Sequence, residues 1–143
     1  MFLNHKRFNG DKMFSVNYRV RLYDTDAAGI LFFGNIFRIM HLTLEKFIES
    51  RSIYDLFFKN QDYIFPVKNS SADFKKPMIL GDEIKVELNI SMIKETSFEI
   101  KYLFYDLDNN LTVSASTVHV CVDKKSGKKN LIPVAILDFL NNN

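Results

Sequence analysis

The sequence predicts an α+β domain in which a curved antiparallel sheet wraps one long central helix. Three observations carry this. Residues 14–22 alternate apolar and polar side chains, the period-two signature of a half-buried strand. From Asn35 the period becomes helical, with apolar residues around most of the circumference. Four further strand-like runs follow, and the later ones are joined by turns short enough to force antiparallel pairing. A helix that is apolar on most sides needs an enclosing layer, and a single sheet has to supply it.

Phe14, Val16, Tyr18, Val20 and Leu22 form the apolar face of the first strand, opposite Ser15, Asn17, Arg19 and Arg21. The alternation stops at Asp24, and 24–34, with two glycines, reads as a loop. Ile36, Ile39, Met40, Thr43, Leu44, Phe47 and Ile48 then recur at helical spacing. Asn35 is placed to cap that helix, and Arg38, Glu45, Lys46 and Glu49 supply its polar face. Residues 51–62 predict a short irregular or helical connection. A strand-like run from Phe65 to Phe74 ends at Lys75-Lys76-Pro77, where Pro77 and Gly81 mark a turn. Ile84, Val86, Leu88 and Ile90 alternate with polar residues, and so do Phe98, Ile100, Tyr102 and Phe104 after a turn at 94–96. Asp108-Asn109-Asn110 turns the chain into a long run of strand formers from Leu111 to Val122. Beyond Ser126-Gly127, Pro133 opens a short helix striped by Ile136, Leu137 and Leu140. Residues 1–12 are polar and predicted to fray, which leaves 13–143 as one domain.

Bulk properties exclude several classes. A chain of 143 residues with 47% hydrophobic side chains can build a core, which argues against disorder. A net charge of +2, with acids interspersed among bases, gives no electrostatic footprint for nucleic acid. Cys121 is the single cysteine, so an intrachain disulfide and a cysteine-based zinc site are both excluded. The first twelve residues hold no apolar run of the signal-peptide kind, and no stretch approaches the roughly 20 apolar residues of a membrane span. A reducing, cytoplasmic setting is the expectation.

The chemistry concentrates in the loop Asp24-Thr25-Asp26-Ala27-Ala28-Gly29-Ile30-Leu31-Phe32-Phe33-Gly34. Two carboxylates, small residues and a glycine lie just ahead of a helix start. Backbone N–H groups there, aided by the helix dipole, can hold a developing oxyanion. A nearby carboxylate can attack a carbonyl or activate water. Ala27, Ala28 and Gly29 let substrate approach the backbone. The same residues also fit a plain turn with a helix cap, and an Asp-x-Asp pair can bind a divalent cation. No phosphate-cradling glycine loop or further acidic cluster accompanies the pair, so no metal is expected.

The segment resembles the signature of the 4-hydroxybenzoyl-CoA thioesterase family of hotdog-fold proteins: Asp-x-Asp-x-x-Gly, aromatic residues, then Asn leading into the helix. The resemblance runs from about Phe14 to Pro133. It takes in Ser71-Ala72-Asp73-Phe74-Lys75-Lys76-Pro77 with Gly81-Asp82, and His119-Val120-Cys121-Val122-Asp123 before Ser126-Gly127. It implies a hotdog fold, an acyl-CoA substrate, no cofactor beyond the CoA carried by that substrate, and a homodimer or homotetramer. By the same resemblance the second acid, Asp26, is the catalytic carboxylate, Asp24 shapes the loop, and the N–H groups of Phe33 and Gly34 hold the oxyanion. Where one branch of the family carries His, this chain has Phe33. With Asp-Thr-Asp-Ala-Ala-Gly, that brings it closest in motif to hydrolases of 1,4-dihydroxy-2-naphthoyl-CoA in menaquinone and phylloquinone synthesis. Short-chain or other aromatic acyl-CoA, and a non-catalytic acyl-CoA- or protein-binding module, are the alternatives.

Further candidates are weaker. Lys75, Lys76, Lys124 and Lys125 lie at strand ends where cations could meet CoA phosphates, although such lysines commonly form a solvated face. Ser70 and Ser71 could line an opposite wall of the site. His119, out of phase with Val118 and Val120, reads as a core or interface histidine, and Cys121 as a small hydrophobe.

Overall fold

The computed structural model describes residues 13–143, so the expectation of a frayed 1–12 lies outside the described residues. Strand β1 (Ser15–Arg19) leads through a 3-10 turn at Leu22–Asp24 and a loop into helix α1 (Asn35–Ser50). Helix α2 (Tyr54–Phe58) and a short strand β2 (Tyr63–Ile64) follow. Four strands come next: β3 (Val67–Phe74), β4 (Glu83–Ile93), β5 (Ser97–Tyr105) and β6 (Leu111–Val120). Strand β7 (Val122–Asp123) and helix α3 (Val134–Asn141) complete the described chain. Five strands make one antiparallel sheet in the order β1-β4-β5-β6-β3, and β2 pairs with β7 in a separate ribbon.

Alternation in the sequence becomes the two faces of this sheet. Ile84, Val86 and Leu88 of β4, Phe98, Ile100, Tyr102 and Phe104 of β5, and Val113 and Ala115 of β6 are all buried. They meet the stripe of α1 that the helical spacing picked out: Ile36, Ile39, Met40, Thr43, Leu44, Phe47 and Ile48 are its buried residues. Each fully buried aliphatic or aromatic side chain of this set contributes roughly 1.5–3 kcal/mol of transfer free energy. Thr43, the polar member, donates its hydroxyl to the Ile39 carbonyl at 2.8 Å and stays satisfied. Arg38, Glu45, Lys46 and Glu49 are exposed, as expected of the polar face.

Two expectations need correction. Asn35 does not cap α1. It is the first helical residue, after Gly34, and its amide turns back to donate to the Asp24 carbonyl at 2.8 Å. The run Leu111–Val122 is not one strand. It breaks at the fully buried Cys121, whose N–H donates to the Thr96 carbonyl and whose carbonyl accepts from Asn130, so that Val122–Asp123 leaves the main sheet to pair with β2.

Strand β3 differs from its neighbours. It is paired with β6 on one side only, and seven of its eight residues are exposed, Ala72 being half-buried. Its sequence, Val-Lys-Asn-Ser-Ser-Ala-Asp-Phe, lacks the alternation of a strand packed on one face. Among the described residues, nothing pairs with the backbone groups on its open side.

Candidate active site

The loop between β1 and α1 is built around its two acids, which have opposite environments. Asp24 is completely buried. Its Oδ2 accepts from the Tyr18 hydroxyl at 2.6 Å and from the Arg21 N–H at 2.9 Å, and its Oδ1 pairs with the Arg38 guanidinium. Asp26, two residues on, is exposed. Its Oδ1 accepts from the Ala28 N–H at 2.8 Å and the Ile30 N–H at 3.3 Å, and its Oδ2 has no partner among the described residues. One oxygen therefore braces the turn while the other is available to a reactant.

The turn closes through bonds from the Asp26 N–H to the Ile30 carbonyl at 2.8 Å and from the Gly29 N–H to the Asp26 carbonyl at 3.0 Å. Gly29 sits at φ +74°, a conformation that a Cβ would strain. The loop is then stapled to the segment between β3 and β4: the Leu31 N–H donates to the Met78 carbonyl at 2.8 Å and the Leu80 N–H to the Gly29 carbonyl at 3.2 Å. The Phe32 N–H returns to the Asp24 carbonyl at 2.8 Å, so the chain enters and leaves the loop at one point.

Phe33 and Gly34 come next. The N–H groups of Asn35 and Ile36 are occupied by the Phe32 and Phe33 carbonyls at 2.9 and 3.3 Å. Those of Phe33 and Gly34 donate to nothing among the described residues. The two N–H groups expected to hold an oxyanion are the ones this helix start leaves unpaired. Gly34 has a packing reason as well, because a Cβ there would lie 2.9 Å from the Phe32 ring.

The remaining candidates separate. Ser70 lines an apolar cavity of about 400 Å³ with Phe37, Arg38, His41, Val67 and Thr117, between the first half of α1 and β3. Ser71 is not part of that lining, and its hydroxyl lies 3.2 Å from that of Ser116. Lys76 is paired with Asp106 at 2.6 Å, which holds the Asp106 carboxyl below the usual carboxylate range, while Lys75 stays exposed. Lys124 donates to the Asn60 carbonyl. Lys75 and Lys76 follow the Phe74 end of β3. Lys124 and Lys125 lie beyond the other end, where Val67 pairs with His119. The two ends are roughly 23 Å apart at about 3.3 Å per residue, so no single phosphate can meet both pairs on one chain. A second groove, between β1 and the later half of α1, is lined by Phe14, Asn17, Lys46 and Glu49 and lies away from the Asp26 loop.

His119 is buried, not free for catalysis. It stacks on Phe98 at 5.1 Å, and its ring nitrogens lie 3.0 Å from the Thr117 hydroxyl and 3.1 Å from the Phe65 carbonyl. Burial pulls its pKa below the ordinary histidine value of 6.5, the Phe65 carbonyl opposes this, and His41 adds to it. Below that pH the unfolded chain binds a proton that the folded protein resists. The contribution to stability is thus complete above about 6.5 and is lost as pH falls. Tm is expected to drop between pH 7 and 5, and less steeply for His119→Gln. Parallel pH profiles for the two proteins would remove this assignment.

Among the described residues no group of three or more His, Cys, Asp or Glu could hold a metal ion, and no helix is long and apolar enough to cross a membrane.

Residues 20–140 match the thioesterase-like superfamily. The chain is 37% identical over 131 residues to a 1,4-dihydroxy-2-naphthoyl-CoA hydrolase of Nostoc punctiforme, covering 91% of this chain and 88% of that one. It is 32% identical to a protein of the same name from Crocosphaera subtropica, covering 89% and 95%. The crystal structure of a 1,4-dihydroxy-2-naphthoyl-CoA thioesterase from Synechocystis superposes with a TM-score of 0.80 at 26% identity, covering 92% of this chain and 97% of that one.

Proposed function

The chain belongs to the thioesterase-like superfamily, is a thioester hydrolase of hotdog fold, and, we propose, hydrolyses 1,4-dihydroxy-2-naphthoyl-CoA to the free acid and CoA. The observation that carries the reaction is the loop geometry: a carboxylate with one uncommitted oxygen, and two unpaired N–H groups at the following helix start. The N–H groups of Phe33 and Gly34 receive the carbonyl oxygen as it gains charge. Asp26 either attacks the carbonyl carbon, giving a mixed anhydride that water then opens to the acid and the restored carboxylate, or takes a proton from a water that attacks that carbon. A C–O bond forms, the C–S bond breaks, and CoA leaves as thiolate and is protonated. The relatives named above support the dihydroxynaphthoyl group. The largely apolar cavity of about 400 Å³ beside α1, lined by Phe37, Arg38, His41, Val67, Ser70 and Thr117, has the size of a small-molecule site.

The test is a thiol-release panel comparing dihydroxynaphthoyl-CoA with benzoyl-type and with short and long aliphatic acyl-CoAs. The expected result is the highest kcat/KM for the bicyclic aromatic substrate. A preference for aliphatic chains would overturn the substrate while leaving the hydrolase in place.

The same reading includes a second copy of the chain, joined along the open edge of β3. The exposed strand, flanked by Phe74 and Val67, is the surface that such pairing would complete.

A further inference from the structure

The assignment of Asp26 leaves Asp24 unexplained. A turn-capping acid needs only the Arg21 N–H, yet Asp24 is fully buried and meets three groups from three elements. Tyr18 comes from β1, Arg21 from the turn, and Arg38 from the first turn of α1. The Tyr18 hydroxyl donates to Asp24 and accepts from the Arg38 guanidinium at 2.9 Å, which closes a three-membered ring of polar contacts. The guanidinium lies 5.6 Å from the centroid of the Tyr23 ring and 5.9 Å from that of the Tyr18 ring. Only the Asp24 side of this pair is buried, and a buried carboxylate is seldom the cheapest way to stabilise a fold, since apolar side chains of similar volume commonly serve as well. What it provides here is direction.

The Asp24 backbone occupies the junction of the site. Its carbonyl accepts from the Phe32 N–H and the Asn35 amide, both at 2.8 Å. Asp24 is therefore two residues from the Asp26 carboxylate and one hydrogen bond from the residue that precedes the oxyanion donors. Within this set of contacts, the Arg38–Asp24 pair is the ionic link between the loop that carries Asp26 and the helix that carries Phe33 and Gly34 at its start.

We propose that Arg38 is a positioning residue: through buried Asp24, with Tyr18 as the bridge, it holds the Asp26 loop in register with the N–H groups that start α1. The proposal rests on Asp26 being the catalytic carboxylate. Arg38 also lines the cavity beside α1, so the division of its effect between kcat and KM distinguishes positioning from substrate contact. Burial, and then the Asp24 carboxylate, push the Tyr18 hydroxyl up to about 12, so the bridge keeps its proton at any working pH and the ring holds its charge.

The experiment uses the full chain and the best substrate of the panel. The Arg38 side chain is 47% exposed, so its variants test the link without opening the core; Asp24→Asn is the variant at risk of not folding. Arg38→Gln is expected to lower kcat by roughly 10- to 100-fold, the scale on which small misplacements act, with KM within about twofold. Arg38→Lys keeps the charge but loses the planar guanidinium that lies against the Tyr18 and Tyr23 rings, and should fall between wild type and Arg38→Gln. For Arg38→Ala, added guanidinium at concentrations that leave Tm unchanged is expected to restore part of kcat. Wild-type kcat in a folded Arg38→Gln protein would overturn the proposal, as would a loss expressed wholly in KM, which would make Arg38 a substrate contact. Asp26→Asn, measured alongside, separates the two readings. An inactive Asp26→Asn with a fully active Arg38→Gln refutes positioning alone; an active Asp26→Asn refutes the reading beneath it.

Discussion

Exchanging Asp26 for Asn is expected to lower kcat for thioester hydrolysis by roughly 10²- to 10⁴-fold, the range of a positioned acid–base group. That corresponds to about 3–5 kcal/mol of lost transition-state stabilisation. Asn is the informative replacement because the two oxygens of Asp26 do separate jobs. Oδ1 accepts from the Ala28 and Ile30 N–H groups and so shapes the turn, a task that an amide oxygen keeps. Oδ2 is the uncommitted atom, and its replacement by an NH₂ group removes both nucleophile and base. Fold and KM should therefore survive in Asp26→Asn. Asp26→Ala gives up the two bracing bonds as well and should lose stability along with turnover. Activity near the wild-type level in folded Asp26→Asn would end the assignment. A single turnover in ¹⁸O-water, with rapid quench and hydroxylamine trapping, then separates the chemical routes: label in the Asp26 carboxylate or a trapped acyl group on Asp26 establishes direct attack, whereas activated water gives neither.

The proposed oxyanion side of the site would fail differently. The donors are main-chain groups, so no side-chain deletion removes them. What can be changed is the path of the backbone or the packing over it: a Cβ at Gly34 would lie 2.9 Å from the half-exposed Phe32 ring, which would have to turn aside. This is the physical sense in which the family-like signature is a description of backbone geometry. Gly29 provides a left-handed turn, Gly34 a close approach, and the small residues between the acids and Ile30 leave room for substrate.

Much of the architecture is legible because burial imposes a period. The seven buried residues of α1 are the ones its spacing marks, and the inner faces of β4, β5 and β6 follow from alternation. Legibility ends where a residue answers to a distant partner. Asp24 and Asp26 are the same amino acid in the same loop. What separates them is Arg38, fourteen positions on, and Tyr18, six positions back, and no local pattern records either contact. Asn35 has the chemistry of a cap but is recruited by the Asp24 carbonyl, a choice made by the loop and not by the helix. The break at Cys121 is invisible in a run of strand formers because backbone bonds to Thr96 and Asn130 decide it. The lysines illustrate the limit of composition. All four sit at strand ends as read, yet Lys76 is spoken for by Asp106 and Lys124 by Asn60, which a count of charges cannot show.

Strand β3 yields the second large effect. Its sequence lacks an apolar face because only Ala72 packs against the core, and an eight-residue edge left in this state would be open to indiscriminate pairing. If a second copy completes it, blocking the edge should dissociate the protein. Along an antiparallel ladder the N–H groups of adjacent residues point to opposite sides. Of Ser70 and Ser71, which pair with Thr117 and Ser116 in β6, one N–H therefore enters that ladder and the other faces outward. Proline is tolerated at an edge position whose N–H is not used, and disrupts the sheet where it is. Ser70→Pro and Ser71→Pro are accordingly expected to diverge. One should be a folded monomer by light scattering, with wild-type-like circular dichroism and a Tm within a few degrees of the parent protein. The other should be destabilised. Because the cavity beside α1 is bordered by Val67 and Ser70 on this edge, the folded monomer should also lose most of its turnover. A wild-type protein that sediments as a single chain, or a folded proline variant that remains dimeric, would place the contact between copies elsewhere on the molecule.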